Sequence, residues 1–414
     1  MTLHNKHNLR LFLIIIATTF YFLANIQRVA IPGAIFNLLQ NDFSASASKI
    51  TMLGAIFCYT YALTQLVVGL MVDKLGGFRV VALGSVAFAL GSVIFPNCNS
   101  IILLYLSRIL VGFGAATFYL SAIREVKKFA KDKNFSLAVS YILFIGYSGG
   151  IIANAPLVSA VNNIGWVKTF SMVGFFTLTL CLIYLISLYI FKPVKIENET
   201  KFSLEPFSEV LANKNNINLY IFGSFNYGLY YVLQSVIGKK FLEDFCLIAT
   251  SKAALVLSVM ALISAFAGTI TACISRLINN RRAIIFKTYA ILSFLTILTV
   301  FVLLIFNFQT KLIAIILCIP AFIGSISPLL ILTLHLMNRY EISATAVAIQ
   351  NFGFFMMVGI LGMVTGMIMN LFEPIVQQGS LIYPKNAYLS VFGLFLIIAV
   401  VEVVCAFRTK DKYN

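Results

Sequence analysis

Apolar residues run in long blocks along nearly the whole chain, and charged residues are confined to the gaps between them. A helix rises 1.5 Å per residue, so about 20 apolar residues cross a hydrocarbon core. On that measure the pattern predicts twelve spans, at 11–35, 47–72, 78–96, 101–123, 137–160, 168–191, 218–240, 252–274, 284–306, 312–336, 344–372 and 387–407. The blocks are of helical length and many carry Gly and Pro. A barrel would show shorter segments of alternating polarity, so a helical bundle is expected.

The longest polar stretch, 192–217, mixes Lys192, Lys195, Lys201 and Lys214 with Glu197, Glu199, Glu205 and Glu209. It divides the spans six and six and reads as a solvated linker. Pro193 and Pro206 oppose one continuous helix through it, although its second part, near Phe207–Leu211, suits a short amphipathic helix on the membrane face. Laying the second half over the first puts Arg276 on Lys74 and Arg281 on Arg79, and the same displacement puts Asp244-Phe245 on Asp42-Phe43. A duplicated bundle follows. The expected fold class is an all-α membrane protein, twelve transmembrane helices in two pseudo-symmetric six-helix halves. The expected domains are 1–191, a cytoplasmic linker at 192–217, and 218–414.

Composition agrees with this picture. At 60% apolar and 11% charged residues, the chain has too little polar surface to fold as a water-soluble globule. The net charge of +16 does not point to nucleic acid, because the basic residues sit in short loops where they orient a membrane protein. Most fall on the side of the two termini if both are cytoplasmic, which places the chain in the cell inner membrane as a multi-pass protein. The seven cysteines are scattered singly, without metal-ligand spacing. No cofactor or metal is expected. Histidines far apart in sequence and the absence of a nucleophile elbow, P-loop or zinc signature exclude the common enzyme classes.

Two motifs narrow the class. Gly69, Asp73, Lys74, Gly76 and Arg79 form a Gly-x3-Asp-Lys-x-Gly-x2-Arg turn between spans 2 and 3. It resembles the loop between helices 2 and 3 of the major facilitator superfamily of secondary transporters. In span 4, Arg108, Gly112 and Gly114 resemble that family's Arg-x3-Gly-x-Gly segment, and span 5 is rich in glycine like its family counterpart. The resemblance implies a rocker-switch transporter whose gate comprises Gly69, Asp73, Lys74, Gly76, Arg79, Arg108, Gly112 and Arg124, with Asp73 accepting from a base such as Arg124 when the cytoplasmic side closes. The chain departs from the family in placing Gly77 and Phe78 where basic residues are common, and in having Ser275 at the repeat position of Asp73.

Ionised side chains inside a membrane are costly, which makes each one a functional candidate. Arg28 in span 1 shares a helical face with Tyr21 and Asn25, and a guanidinium can grip a carboxylate or phosphate with two prongs. The blander reading is that Arg28 snorkels to the outer interface. Its Arg28-Val29-Ala30 sequence resembles the helix-1 Arg-Val-(Ser/Ala) of phagosomal amino-acid transporters within the superfamily. In span 7, the repeat partner of span 1, Asn226, Tyr230 and Gln234 follow at four-residue spacing. Tyr61 and Gln350 are further candidates for substrate contact, and an interfacial aromatic belt is the alternative for the tyrosines.

Acids are scarce inside the spans. Glu402 stands near Arg408, with which it could pair at the inner surface, and it and His335 are the candidate proton carriers. A positive cavity without acids favours an anionic or zwitterionic solute. The expectation is a monomeric symporter for a small carboxylate-bearing solute, an amino acid or organic anion, driven by a coupling proton and surrounded by lipid. An organophosphate or sugar-phosphate exchanger is the alternative, disfavoured by the lack of a second cation in span 7. A drug exporter or a non-transporting nutrient receptor on the same fold ranks lower.

Overall fold

The computed structural model describes residues 3–127, 132–191, 205–377 and 380–409. In order the elements are α1 (Leu3–Ala30), α2 (Phe36–Asp42), α3 (Ala47–Leu75), α4 (Gly77–Ile94), α5 (Ile101–Lys127), α6 (Asp132–Ile152), α7 (Ala155–Ile164) and α8 (Trp166–Phe191). After the linker come α9 (Glu205–Ala212), α10 (Lys214–Val232), α11 (Gly238–Asp244), α12 (Thr250–Leu277) and α13 (Arg282–Ile305). The remainder is α14 (Leu312–Ile316), α15 (Cys318–Ile323), α16 (Ser327–Met337), α17 (Tyr340–Met369), the strands β1 (Ile375–Gln377) and β2 (Ser380–Ile382), and α18 (Lys385–Arg408).

Ten stretches among the described residues are helical, long and apolar enough to span a membrane, and the bent pair α6–α7 makes an eleventh. That pair bends by 43° where Pro156 follows Asn154; proline lacks an N–H and its ring obstructs the preceding turn. The span expected at 312–336 is likewise divided, into α14, α15, a 3-10 turn Gly324–Ile326 and α16, with Pro320 and Pro328 beside the breaks. The one expected at 218–240 falls on α10 and α11, which a π-helical turn at Leu233–Ile237 separates. The short helix expected near Phe207–Leu211 is α9. Residues 192–204 of the expected linker lie outside the described residues. Between α17 and α18, β1 and β2 pair antiparallel with Val376 opposite Leu381.

The helices form two compact units, one of residues 1–30 and 56–202, the other of 31–55 and 203–414. The core of the first is built on Phe20, stacked on Phe118 at 5.1 Å between ring centroids and edge-on to Phe88 and Tyr184. The core of the second is centred on Phe241, which meets Phe245, Tyr388 and Phe392. Lipid is as apolar as these rings, so close packing and aromatic contacts hold the bundles, rather than exclusion from water. Outward faces are apolar too: Phe175, Phe176 and Tyr189 of α8 are more than half exposed, as suits a helix against hydrocarbon.

Residues 31–55 belong to the second unit through polar contacts: Gln40 Nε2 donates to Tyr383 Oη at 3.0 Å, and Asn370 Nδ2 to Ser48 Oγ at 2.7 Å. The division expected at 191 and 218 rests on the repeat read in the sequence, whereas the contacts group residues 31–55 with 203–414.

Candidate functional site

Helix α1 ends at Ala30 because Pro32 disfavours helical backbone at the residue before it, and Arg28 occupies the last turn, where carbonyl dipoles favour a cation. A short relay orients its side chain. The Tyr21 carbonyl accepts from Asn25 Nδ2 at 2.9 Å, and Asn25 Oδ1 accepts from Arg28 Nη2. All three residues are buried.

Around this relay stand phenols. Tyr21 stacks on Tyr119 of α5 at 5.3 Å and meets Tyr147 of α6 at 6.3 Å, and Tyr61 of α3 is within electrostatic reach of it. Gly146 permits the approach of α6, since a Cβ there would lie 2.1 Å from the Tyr21 ring. Cys58 lies within reach of both Arg28 and Arg108. The group is thus an oriented guanidinium with an amide and several phenols, a set that can hold a small anion by paired N–H donors and supplement it with O–H donors.

Arg108 is differently placed. It is fully buried, donates from Nη2 to the Gln27 carbonyl at 3.3 Å and covers the Phe57 ring at 4.8 Å. Gln27 in turn donates to Ser92 Oγ at 2.6 Å. These contacts tie α5 to α1, α3 and α4 and make Arg108 a strut. Nearby Gly112 packs its backbone against Phe57, and Gln65 of α3 donates to the Ala116 carbonyl of α5.

The 69–79 stretch closes α3 and opens α4. Gly76 has φ +83°, a conformation that L side chains rarely adopt, and it lets the chain reverse in one residue. Gly69 and Lys74 are exposed, and Arg79 and Arg124 are half-buried. The side chain of Asp73 lies outside the described residues, so its expected pairing with Arg124 does too. Gly77 has a role of its own: its N–H donates to Glu125 Oε1 at 2.9 Å, which sets a carboxylate at the N-terminus of α4. The sequence reading passed over Glu125, whose position about three and a half helical turns beyond Gly112 gave no sign of a partner 48 residues away.

In the second unit, Gln350 of α17 donates to Ser224 Oγ of α10 at 3.3 Å, and Gln234 in the π turn donates to the Leu257 carbonyl of α12 at 2.9 Å. Tyr230 packs edge-on against Tyr231 and against the backbone of Gly324. Asn226 faces α18. Tyr21, Asn25, Arg28 and Tyr61 therefore gather in the first unit, while Asn226, Tyr230, Gln234 and Gln350 are distributed along α10 and its neighbours. Of the proton-carrier candidates, His335 is exposed in the last turn of α16, and Glu402 is fully buried in α18.

A polar cluster absent from the sequence reading lies at α11. Lys240 Nζ pairs with Asp244 Oδ1 at 3.1 Å and donates to the Leu381 carbonyl; Asp244 Oδ2 accepts from Tyr383 N at 2.9 Å and Tyr388 Oη at 2.6 Å. Lys239 pairs with Glu243 at 3.2 Å and donates to the Ala34 carbonyl at 3.1 Å. Burial pushes the Asp244 carboxyl above the ordinary carboxylate range, opposed by the Lys240 charge and by the donors from Tyr388 and Tyr383. The i,i+4 spacing of Lys239 with Glu243 and Lys240 with Asp244 was the available signal.

Membrane-spanning helices with buried arginines and broken, glycine-rich segments are features that secondary-transporter folds share. The Major Facilitator Superfamily profile matches residues 14–363, and the chain belongs to that superfamily as a multi-pass membrane protein. Among curated relatives, it is 25% identical over 166 residues to a probable sulfoacetate transporter, SauU, of Cupriavidus necator, a match covering 40% of this chain and 38% of that protein. It is 26% identical over 159 residues to probable anion transporter 4, chloroplastic, of Oryza sativa subsp. japonica, covering 37% and 26%. The chain thus matches well under half the length of these relatives.

Solved structures share the fold along the whole chain. A bacterial homolog of the human lysosomal transporter Spinster, in an inward-facing and occupied conformation, superposes with TM-score 0.74 at 17% identity, covering 97% of each chain. The nucleoside transporter NupG superposes with TM-score 0.69 at 15% identity, covering 97% of this chain and 100% of its own.

Proposed function

We propose that the protein moves a small carboxylate-bearing solute, an amino acid or organic anion, across the cytoplasmic membrane as a proton-coupled symporter, by alternating access, with Arg28 anchoring the anionic group. Both termini are cytoplasmic on this reading, and the 69–79 stretch with Arg108, Gly112 and Arg124 serves the cytoplasmic gate. The observation that carries it is the relay from the Tyr21 carbonyl through Asn25 to the Arg28 guanidinium. A cation fixed in orientation before the solute arrives loses little entropy on binding, and its planar fork matches a carboxylate. Tyr21, Tyr119 and Tyr147 offer O–H groups and ring faces to the rest of the solute. Names given to two relatives, for sulfoacetate and for anions, support an anionic cargo.

Uptake into proteoliposomes of radiolabelled sulfoacetate, amino acids, dicarboxylates and sugar phosphates tests this. Loss of a buried charge contact costs about 2–5 kcal/mol, so Arg28→Ala should reduce uptake of the transported anion by about 30-fold or more. Equal uptake by Arg28→Ala and wild type would remove Arg28 from the site.

A further inference from the structure

We propose that Glu402 of α18 is a proton site acting through Asn226 of α10, and that its loading sets the state of α10 in the transport cycle. The inference deepens the symport reading above and rests on it for the cycle, though not for the site itself. Glu402 is 0% exposed, and neither carboxyl oxygen has a hydrogen-bond partner among the described residues. The polar groups turned toward it are Ser293 of α13 and Asn226 of α10, both outside the geometry of a formed hydrogen bond. Asn226 Oδ1 is also buried without a partner. No charged group from α10, α13 or α17 acts on Glu402 among the described residues; on its own helix Cys405 follows, then Arg408 in the last turn.

An ionised carboxylate so enclosed lacks a counter-charge and has no donor at hydrogen-bond distance, and in a membrane interior that arrangement costs several kcal/mol. A carboxylic acid needs only an acceptor, and Asn226 Oδ1 is one. The amide has two ends: the acid donates to Oδ1, whereas a carboxylate accepts from Nδ2. Gain or loss of the proton therefore changes which end of Asn226 faces α18. The proton comes from water and returns to water, and no covalent bond within the backbone changes.

Helix α10 is built to respond. One turn beyond Asn226, Tyr230 packs on Gly324, where α15 gives way to α16 and Ser325 leaves helical geometry at φ −86°, ψ 20°. Beyond that lies the π turn Leu233–Ile237, held to α12 through Gln234. A π turn is an interruption in the hydrogen-bond ladder and a recurrent feature of functional helices. A displacement at Asn226 thus meets two breaks, one in its own helix and one in the neighbour it packs on, instead of a rigid rod.

Two measurements on the full-length protein in liposomes test the site. The first uses no solute: dicyclohexylcarbodiimide, which reacts with protonated carboxyls in apolar surroundings, is applied across a pH series and the modified peptide is mapped by mass spectrometry. Modification of Glu402 that is strong in acid and declines toward alkaline pH supports the proposal. Modification independent of pH, or none at any pH, overturns it. The second compares wild type and Glu402→Gln for uptake of radiolabelled sulfoacetate. An acid-outside gradient should stimulate wild type, and Glu402→Gln should lose that stimulation by about tenfold while retaining solute counterflow. Wild-type stimulation in Glu402→Gln, or loss of counterflow together with stimulation, overturns the switch. If wild type takes up no anion, the anion reading fails while the modification experiment still decides whether Glu402 titrates.

Discussion

Two buried carboxyls in the second unit have opposite surroundings. Asp244 is held by the Lys240 ammonium, the Tyr383 N–H and the Tyr388 hydroxyl, so each oxygen has a donor. Glu402 has no partner among the described residues and faces only an amide and a hydroxyl. The first environment suits a charge that stays, the second a charge that comes and goes. Burial alone separates neither case; the inventory of donors around the oxygens does. Asp244 accordingly reads as a fastening of α11 to the β2–α18 corner, and Glu402 as a site whose occupancy changes.

Removing the fixed charge should have the largest effect. Asp244→Asn leaves Lys240, 1% exposed, without its ion-pair partner, and loss of one member of a buried pair costs about 3–5 kcal/mol. Thermal unfolding of the purified protein in detergent should show a large fall in Tm. A variant as stable as wild type would mean that the Lys240–Asp244 pair is not a fastening, and the contrast with Glu402 would lapse.

Hydropathy made the spans legible because lipid demands continuous apolar blocks, and helical periodicity made the Tyr21, Asn25 and Arg28 group legible because its members share one face. The π turn after α10 was hidden, since Leu233–Ile237 holds no Gly or Pro, and its polar Gln234 and Ser235 do not by themselves mark an interruption of the helix. The Lys240–Asp244 cluster was hidden for another reason. Its charges are neighbours in sequence and resemble loop residues at the end of a span, but their remaining partners, Ala34, Leu381, Tyr383 and Tyr388, are brought in by the fold from far along the chain. Glu402 was found by its charge, while its surroundings were misjudged. Pairing with Arg408 was the plain expectation, and the structure turns the carboxyl toward Asn226 and Ser293.

A smaller perturbation of the same corner grades the comparison. Tyr388→Phe deletes the hydroxyl that donates to Asp244 at 2.6 Å and leaves the ion pair and the Tyr383 N–H in place. A hydrogen bond to a charged group contributes about 1.5–3 kcal/mol, so the loss of Tm should be roughly half that of Asp244→Asn. Equal losses would mean that Tyr388, fully buried against Phe241, matters through packing and that the charge contributes little.

Glu402→Gln should have the smallest effect on stability, and that is where the comparison is most exposed. An amide is close in shape to a carboxylic acid and can make the same neutral contact with Asn226, so unfolding should shift by less than about 1 kcal/mol. A carboxylate engaged like Asp244 would instead leave its donors unsatisfied on substitution and cost several times more. A loss comparable to that of Asp244→Asn would therefore place Glu402 in the class of fixed charges, whereas a near-neutral change beside a lost response to proton gradients would assign the two acids to different work.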